Sequence, residues 1–170
     1  MNSRKQSPAG FTAMEFLIVL AIIGVLSMIV VLTIGDMSKR ARDSKRLTVV
    51  ATIGRFMTQG CYLPDAGTGD YDLADIFEEW KINNPEYVKL IVQLPFDPKT
   101  GSLSQTNYRY QVANEDHCVV YANLENERAT VDLLFLDEPT PNSGRGVLRA
   151  AVGEYKNGWN GTNKYFQVSR

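Results

Sequence analysis

From Phe11 to Gly35 the chain is apolar almost without interruption, and its charged positions reduce to Glu15. A bilayer crossing needs about 20 such residues, so the first expectation is a transmembrane helix. A cleaved secretory signal has an apolar region of only about 7–15 residues and a small-x-small cleavage site behind it. No such site follows here, which leaves an uncleaved signal anchor as the nearer alternative. Past Asp36 the pattern turns from continuous to periodic. Leu47, Val50, Ile53, Gly54 and Met57, with Val49 and Phe56 beside them, recur at helical spacing, and no proline interrupts residues 36–60. The two patterns together predict one helix from Phe11 to about Gly60, about 75 Å long at the helical rise, with Gly60 as its stop.

The remaining positions divide more finely. Gly60 to Pro64 turns the chain, Asp65 to Asp70 reads as a surface loop, and Leu73 to Trp80 as a short helix. Asn84 before Pro85 has the form of a cap and first-turn pair, which predicts a second short helix from Pro85 to about Val92. Pro95 to Gly101 makes a turn. Tyr108, Tyr110 and Val112 alternate with polar residues, Cys118 to Leu124 follows across Asn114 to His117, and the pattern is that of an antiparallel hairpin. Tyr165 to Val168 gives a third strand signal, and Glu138 to Gly146 is rich in turn formers and is expected to be exposed. The fold class expected is α+β: a long N-terminal helix, transmembrane in its first half, packed on a small antiparallel sheet domain with short helices.

Composition narrows the function. The 170 residues suffice for one globular domain and one added element, and 18 basic against 19 acidic side chains announce no nucleic-acid partner. Lys39, Arg40, Arg42, Lys45, Arg46 and Arg55 form a basic stretch. No aromatic residues are interleaved with it for base stacking, so it reads as a solvated face meeting lipid phosphates or acidic neighbours, and DNA finds no support. The single histidine, His117, recruits no ligand cluster, and neither a nucleophile elbow nor a phosphate-binding glycine loop is present; enzyme, cofactor and transition-metal readings therefore find no footing. Asp70, Asp72 and Asp75 can be read as calcium ligands or, more simply, as loop and helix-start residues. Asn160-Gly161-Thr162 fits a glycosylation sequon. Cys61 and Cys118 are too far apart in sequence for a CxxC motif. In an exported domain they can form one disulfide worth about 2–4 kcal/mol, though the sequence does not give their separation in space and the free-thiol reading stays open.

Gly10-Phe11-Thr12-Ala13-Met14-Glu15, followed directly by the apolar run, resembles the processing site of the type IV prepilin family, which includes the pseudopilins of type II secretion. The resemblance is specific from about Gly10 to Gly35 and architectural beyond. It implies a leader of residues 1–10, cleavage between Gly10 and Phe11 by a prepilin peptidase, and methylation of the new Phe11 amino terminus. Residues 11–35 would then form the transmembrane or filament-core half of the helix, 36–60 its amphipathic half, and 61–170 a globular head. Loss of Arg4 and Lys5 with the leader leaves 16 basic against 19 acidic residues, a net charge of about -3.

Glu15 has a physical role within this resemblance. A carboxylate at the edge of an apolar segment is costly unless paired, and the freed amine of Phe11 on a neighbouring subunit would pair it; Thr12 and Glu15 are the assembly residues so assigned. The family implies a structural subunit of a pilus-like filament or, alternatively, a pseudopilin of a type II secretion system, with a membrane-anchored domain unrelated to filaments as the remaining reading. In either family case it implies a single-pass inner-membrane protein with its C-terminal domain outside, later part of a cell-surface or periplasmic filament. A count of flanking basic residues alone favours the opposite orientation; the peptidase site decides against it. Implied partners are the peptidase, copies of the chain and other pilins, an assembly platform and membrane lipid. Leu94 to Gly101 and the tyrosine-rich strand after it are similar to the loop and sheet of pseudopilins and simple pilins. Two family features are missing: Leu32 stands where many pilins have a helix-kinking proline, leaving Gly24, Thr33 and Gly35 as the weak points, and no closely spaced cysteine pair lies near the C terminus.

Overall fold

The computed structural model describes residues 11–87, 89, 91 and 93–170, with the backbone only for residues 29–33. Residues 1–10, the expected leader with Gly10 as its last residue, lie outside the described residues, as do Val88, Leu90 and Val92 and the side chains of Leu32 and Thr33. The elements run α1 (Ala13–Met57), β1 (Gly69–Asp72), α2 (Leu73–Asn83), β2 (Arg109–Asn114), β3 (His117–Asn123), β4 (Arg145–Arg149), a 3-10 turn (Gly153–Asn157) and β5 (Lys164–Ser169). The chain divides into two compact units, residues 1–38 and 39–170.

In the second unit one five-stranded antiparallel sheet dominates, in the order β1-β2-β3-β5-β4. Alternation along β3 sends Cys118, Val120 and Ala122 to one face and Val119 and Tyr121 to the other, and all five are buried. On the first face they meet Val50, Ile53 and Met57 of α1 and Leu73, Ile76, Phe77 and Trp80 of α2. On the second they join Leu148, Ala150 and Tyr165 under Leu133, Leu136, Tyr155 and Trp159. Such double burial explains why Cys118 to Leu124 reads as a near-continuous apolar run instead of a clean alternation. The apolar stripe of α1 approaches β5 so closely at Gly54 that an added Cβ would lie 2.8 Å from that of Val168. Cys61, just past α1, is disulfide-bonded to Cys118 of β3, with their Cα atoms 5.5 Å apart.

Several expectations need correction. Among the described residues no helix is long and apolar enough to cross a membrane, so the expected transmembrane first half is overturned. The sheet, not a membrane helix, is the organising element. The second short helix is also absent from the described part of its range: Pro85 to Tyr87 form a turn closed by the Tyr87 amide on the Asn84 carbonyl at 3.1 Å. The supposed surface loop ends in a strand, β1, and the exposed connector leads directly into β4.

Candidate functional site

The first candidate lies within residues 11–38. Every described side chain from Phe11 to Met28 is exposed, and Phe11, Met14, Leu17, Val25 and Met28 are each more than 60 % so. A soluble helix normally hides an apolar stripe against its own domain and shows a polar face to water. This segment is apolar on all sides and covered on none, the property of a helix meant to be surrounded.

Its N terminus is built by a reciprocal cap. The Glu15 carboxylate accepts from the Thr12 amide at 2.9 Å and from the Thr12 hydroxyl at 2.8 Å, while the Glu15 amide donates to Thr12 Oγ1 at 3.3 Å. Thr-Ala-Met-Glu is thus a capping box, in which the cap and the third helical residue satisfy one another's orphan backbone donors. The assembly role expected of Thr12 and Glu15 leaves out this local role, which the Thr-x-x-Glu spacing announces. The carboxylate has a partner within its own chain before any neighbouring amine reaches it. Phe11 is exposed beside it; the expected cleavage with Gly10 involves a residue outside the described set.

A second site, within residues 39–170, determines how the later part of α1 is held on the sheet. Arg46 is fully buried. Its Nε and Nη2 donate to the two carboxylate oxygens of Asp97 at 2.6 and 2.8 Å, and Nη1 donates to Asp43 and Glu125 at 2.8 and 2.7 Å. Arg42 takes Glu125 with two parallel bonds of 2.7 Å. Asp43 also accepts from the amides of Glu125 and Asn126, and Asp97 accepts from those of Lys99 and Thr100 and from the Asn160 side chain. Forked guanidinium–carboxylate pairs of this kind fix orientation as well as charge.

Burial alone would push the Asp97 carboxyl upward, but the Arg46 guanidinium, the two amides and Asn160 overcome it and hold Asp97 at about 2. Arg42, against the cost of burial and with help from Arg46, holds Glu125 at about 2 as well. Arg42 and Arg46 are therefore internal ties. The reading of the whole basic stretch as a solvated face fails for these two, and Lys39, Arg40, Lys45 and Arg55 remain exposed. A helical charge pattern cannot reveal this without the partners Asp97 and Glu125, which are distant in sequence.

The other marked residues take structural positions. Asp72 caps α2 through the Ala74 amide and also receives the amides of Thr106 and Asn107. Asp70 pairs with Arg109 at 3.1 Å and accepts from the Tyr121 hydroxyl at 2.5 Å. Among the described residues no group of acidic, cysteine or histidine side chains could hold a metal ion, so Asp70, Asp72 and Asp75 do not converge. Asn160 of the sequon is buried, its side-chain amide spent on Asp97 and on the Asn123 carbonyl, which leaves it no access to a glycosylating enzyme. No family model, curated protein or solved structure matches this chain.

Proposed function

We propose that this protein is a structural subunit of a type IV pilus-like filament, cleaved between Gly10 and Phe11 by a prepilin peptidase and assembled through its N-terminal helix. The carrying observation is the helix from Ala13 onward, exposed and apolar on every side as far as Met28 and opened by the Thr12–Glu15 box. Uncovered apolar area of that extent is unfavourable in water by about 25 cal/mol for each Å², and copies of the same segment packed side by side would remove it.

The sheet domain would ride on the outside of the filament. Its disulfide suits a head in an oxidising compartment, and the buried ion cluster ties the later part of α1 to that head. Glu15 exchanges its own Thr12 contacts for the methylated Phe11 amine of a neighbour, so the cap holds the helix end until assembly offers a stronger, charged partner. Copies of the chain, the peptidase and an assembly platform are the partners, and the location is a periplasmic or cell-surface filament.

The test is N-terminal mass spectrometry of the protein taken from its host. A mature chain starting at methylated Phe11 is the expected result. An intact Met1 terminus in cells with active peptidase contradicts the reading.

A further inference from the structure

The loop before β4 presents its apolar residues outward. Phe135 is 92 % exposed and Leu134 75 %, whereas Leu133 and Leu136 on either side turn inward against the second core cluster. The tip is held, not loose. The Asp132 and Leu133 amides donate to the Val147 carbonyl at 2.8 and 3.0 Å, Asp132 accepts the Val147 amide, and the Ala151 amide donates to the Asp137 carbonyl at 2.9 Å. Turn tips are ordinarily polar. Two large apolar side chains fixed at one, with exposed Asp137 and Glu138 directly behind them, form an acidic-rimmed knob.

The same unit carries an open groove of about 560 Å³ along α1, bounded on one side by Arg145 of β4. Leu47, Ala51 and Phe56 line it, together with Thr48 and Thr52, whose hydroxyls donate back to the Ser44 and Thr48 carbonyls at 2.9 and 2.8 Å. With those hydroxyls satisfied inside the helix, the threonines add a largely apolar surface. Arg55 and Arg145 stand at the groove, both exposed. Among the described residues neither they nor Asp137 and Glu138 make an ion pair.

We propose that the Leu134–Phe135 knob of one copy docks in the groove along α1 of a second copy, with Asp137 and Glu138 facing Arg55 and Arg145. Charge chooses this occupant: the acidic rim repels an anionic lipid surface, and the groove supplies the two cations the rim lacks. The inference takes from the filament reading the premise that copies of the chain meet. It adds a contact between heads to the contact between helices.

The test places Phe135→Cys and Thr52→Cys together in the full chain, expressed in its host, with oxidation in whole cells. The native cysteines are bonded to each other, so the introduced pair supplies the reactive thiols. Interchain cross-links on non-reducing gels are expected from the double variant, with either single variant staying monomeric. Fibres at normal yield without cross-links overturn the docking and leave the filament reading intact; cross-links without fibres do the reverse, and absence of both removes both. Cross-linking by Phe135→Cys alone means that tip meets tip, which also overturns it. Glu138→Arg should reduce cross-linking about tenfold, and Arg55→Glu in the same chain should restore it; failure to restore counts against the pairing.

Discussion

Replacement of Arg46 by methionine is the most demanding perturbation of the head. The side chain is fully buried and makes four charge-assisted hydrogen bonds to Asp97, Asp43 and Glu125. Arg46→Met keeps much of the volume and removes the charge, leaving Asp97 with no cationic partner among the described residues. Breaking a buried pair from one side costs about 3–5 kcal/mol, because the orphaned charge stays behind.

The pH dependence has a definite sign. Asp97 and Glu125 are held at about 2, below the ordinary carboxylate values of 3.8 and 4.5. A depressed folded-state pKa stabilises above the unfolded pKa, and that contribution is lost as pH falls through the folded value. Each group thus contributes about 2–3 kcal/mol at neutral pH, withdrawn between about pH 5 and pH 2. In Arg46→Met the carboxyl groups protonate more readily, so the gap to the parent should be widest at pH 7 and narrow below about pH 4. Urea unfolding of the full chain in detergent, followed by tryptophan fluorescence, measures it, since Trp80 and Trp159 both lie in the head. A loss of less than about 1 kcal/mol at pH 7, or a gap that stays constant down to pH 3, is incompatible with a buried ion cluster centred on Arg46.

Other outcomes follow from single contacts. Reduction of Cys61–Cys118, which closes a sequence separation of 57 residues, should lower head stability by about 2–4 kcal/mol in a denaturant titration with and without reductant. Gly101→Ala would place a Cβ 2.4 Å from the Asp97 amide and 2.6 Å from the Thr106 carbonyl, both backbone atoms that cannot swing aside, so a loss of about 1–3 kcal/mol is expected by the same titration. Thr12→Ala removes the cap and should cost the first turn of α1 about 1 kcal/mol, seen as faster amide exchange at residues 13–16 with the head unchanged. Asn160 should carry no glycan in an intact-mass measurement, and Asn160→Ala should destabilise by about 1–3 kcal/mol through the orphaned Asp97 and Asn123 acceptors.

Features governed by local periodicity were legible in the sequence. The β2–β3 hairpin, α2 and β5 lie where alternation, caps and aromatic content put them, and the periodic positions Val50, Ile53 and Met57 are core. β1 was not, because Gly-Asp-Tyr-Asp sets one strand former, Tyr71, among residues depleted in strands; it is a strand by virtue of its register against β2. β4 was hidden for a similar reason, its charged ends and glycine resembling connector until β5 pairs with it. The apolar run suggested a membrane crossing, whereas among the described residues no helix is long and apolar enough for one. At the candidate site, Thr12 and Glu15 were marked for a neighbour, and their contact with each other, readable in the spacing, was missed. The roles of Arg42 and Arg46 rest on residues some fifty to eighty positions away, beyond the reach of any local pattern.

Electron cryomicroscopy of fibres sheared from the host shows whether the uncovered helix is the assembly element. Fibres built from this chain are expected, with residues 11–28 of neighbouring copies packed on one another at the axis and Glu15 beside the Phe11 amine. Fibres that lack the chain, or that leave residues 11–28 exposed to solvent, would contradict that assembly role.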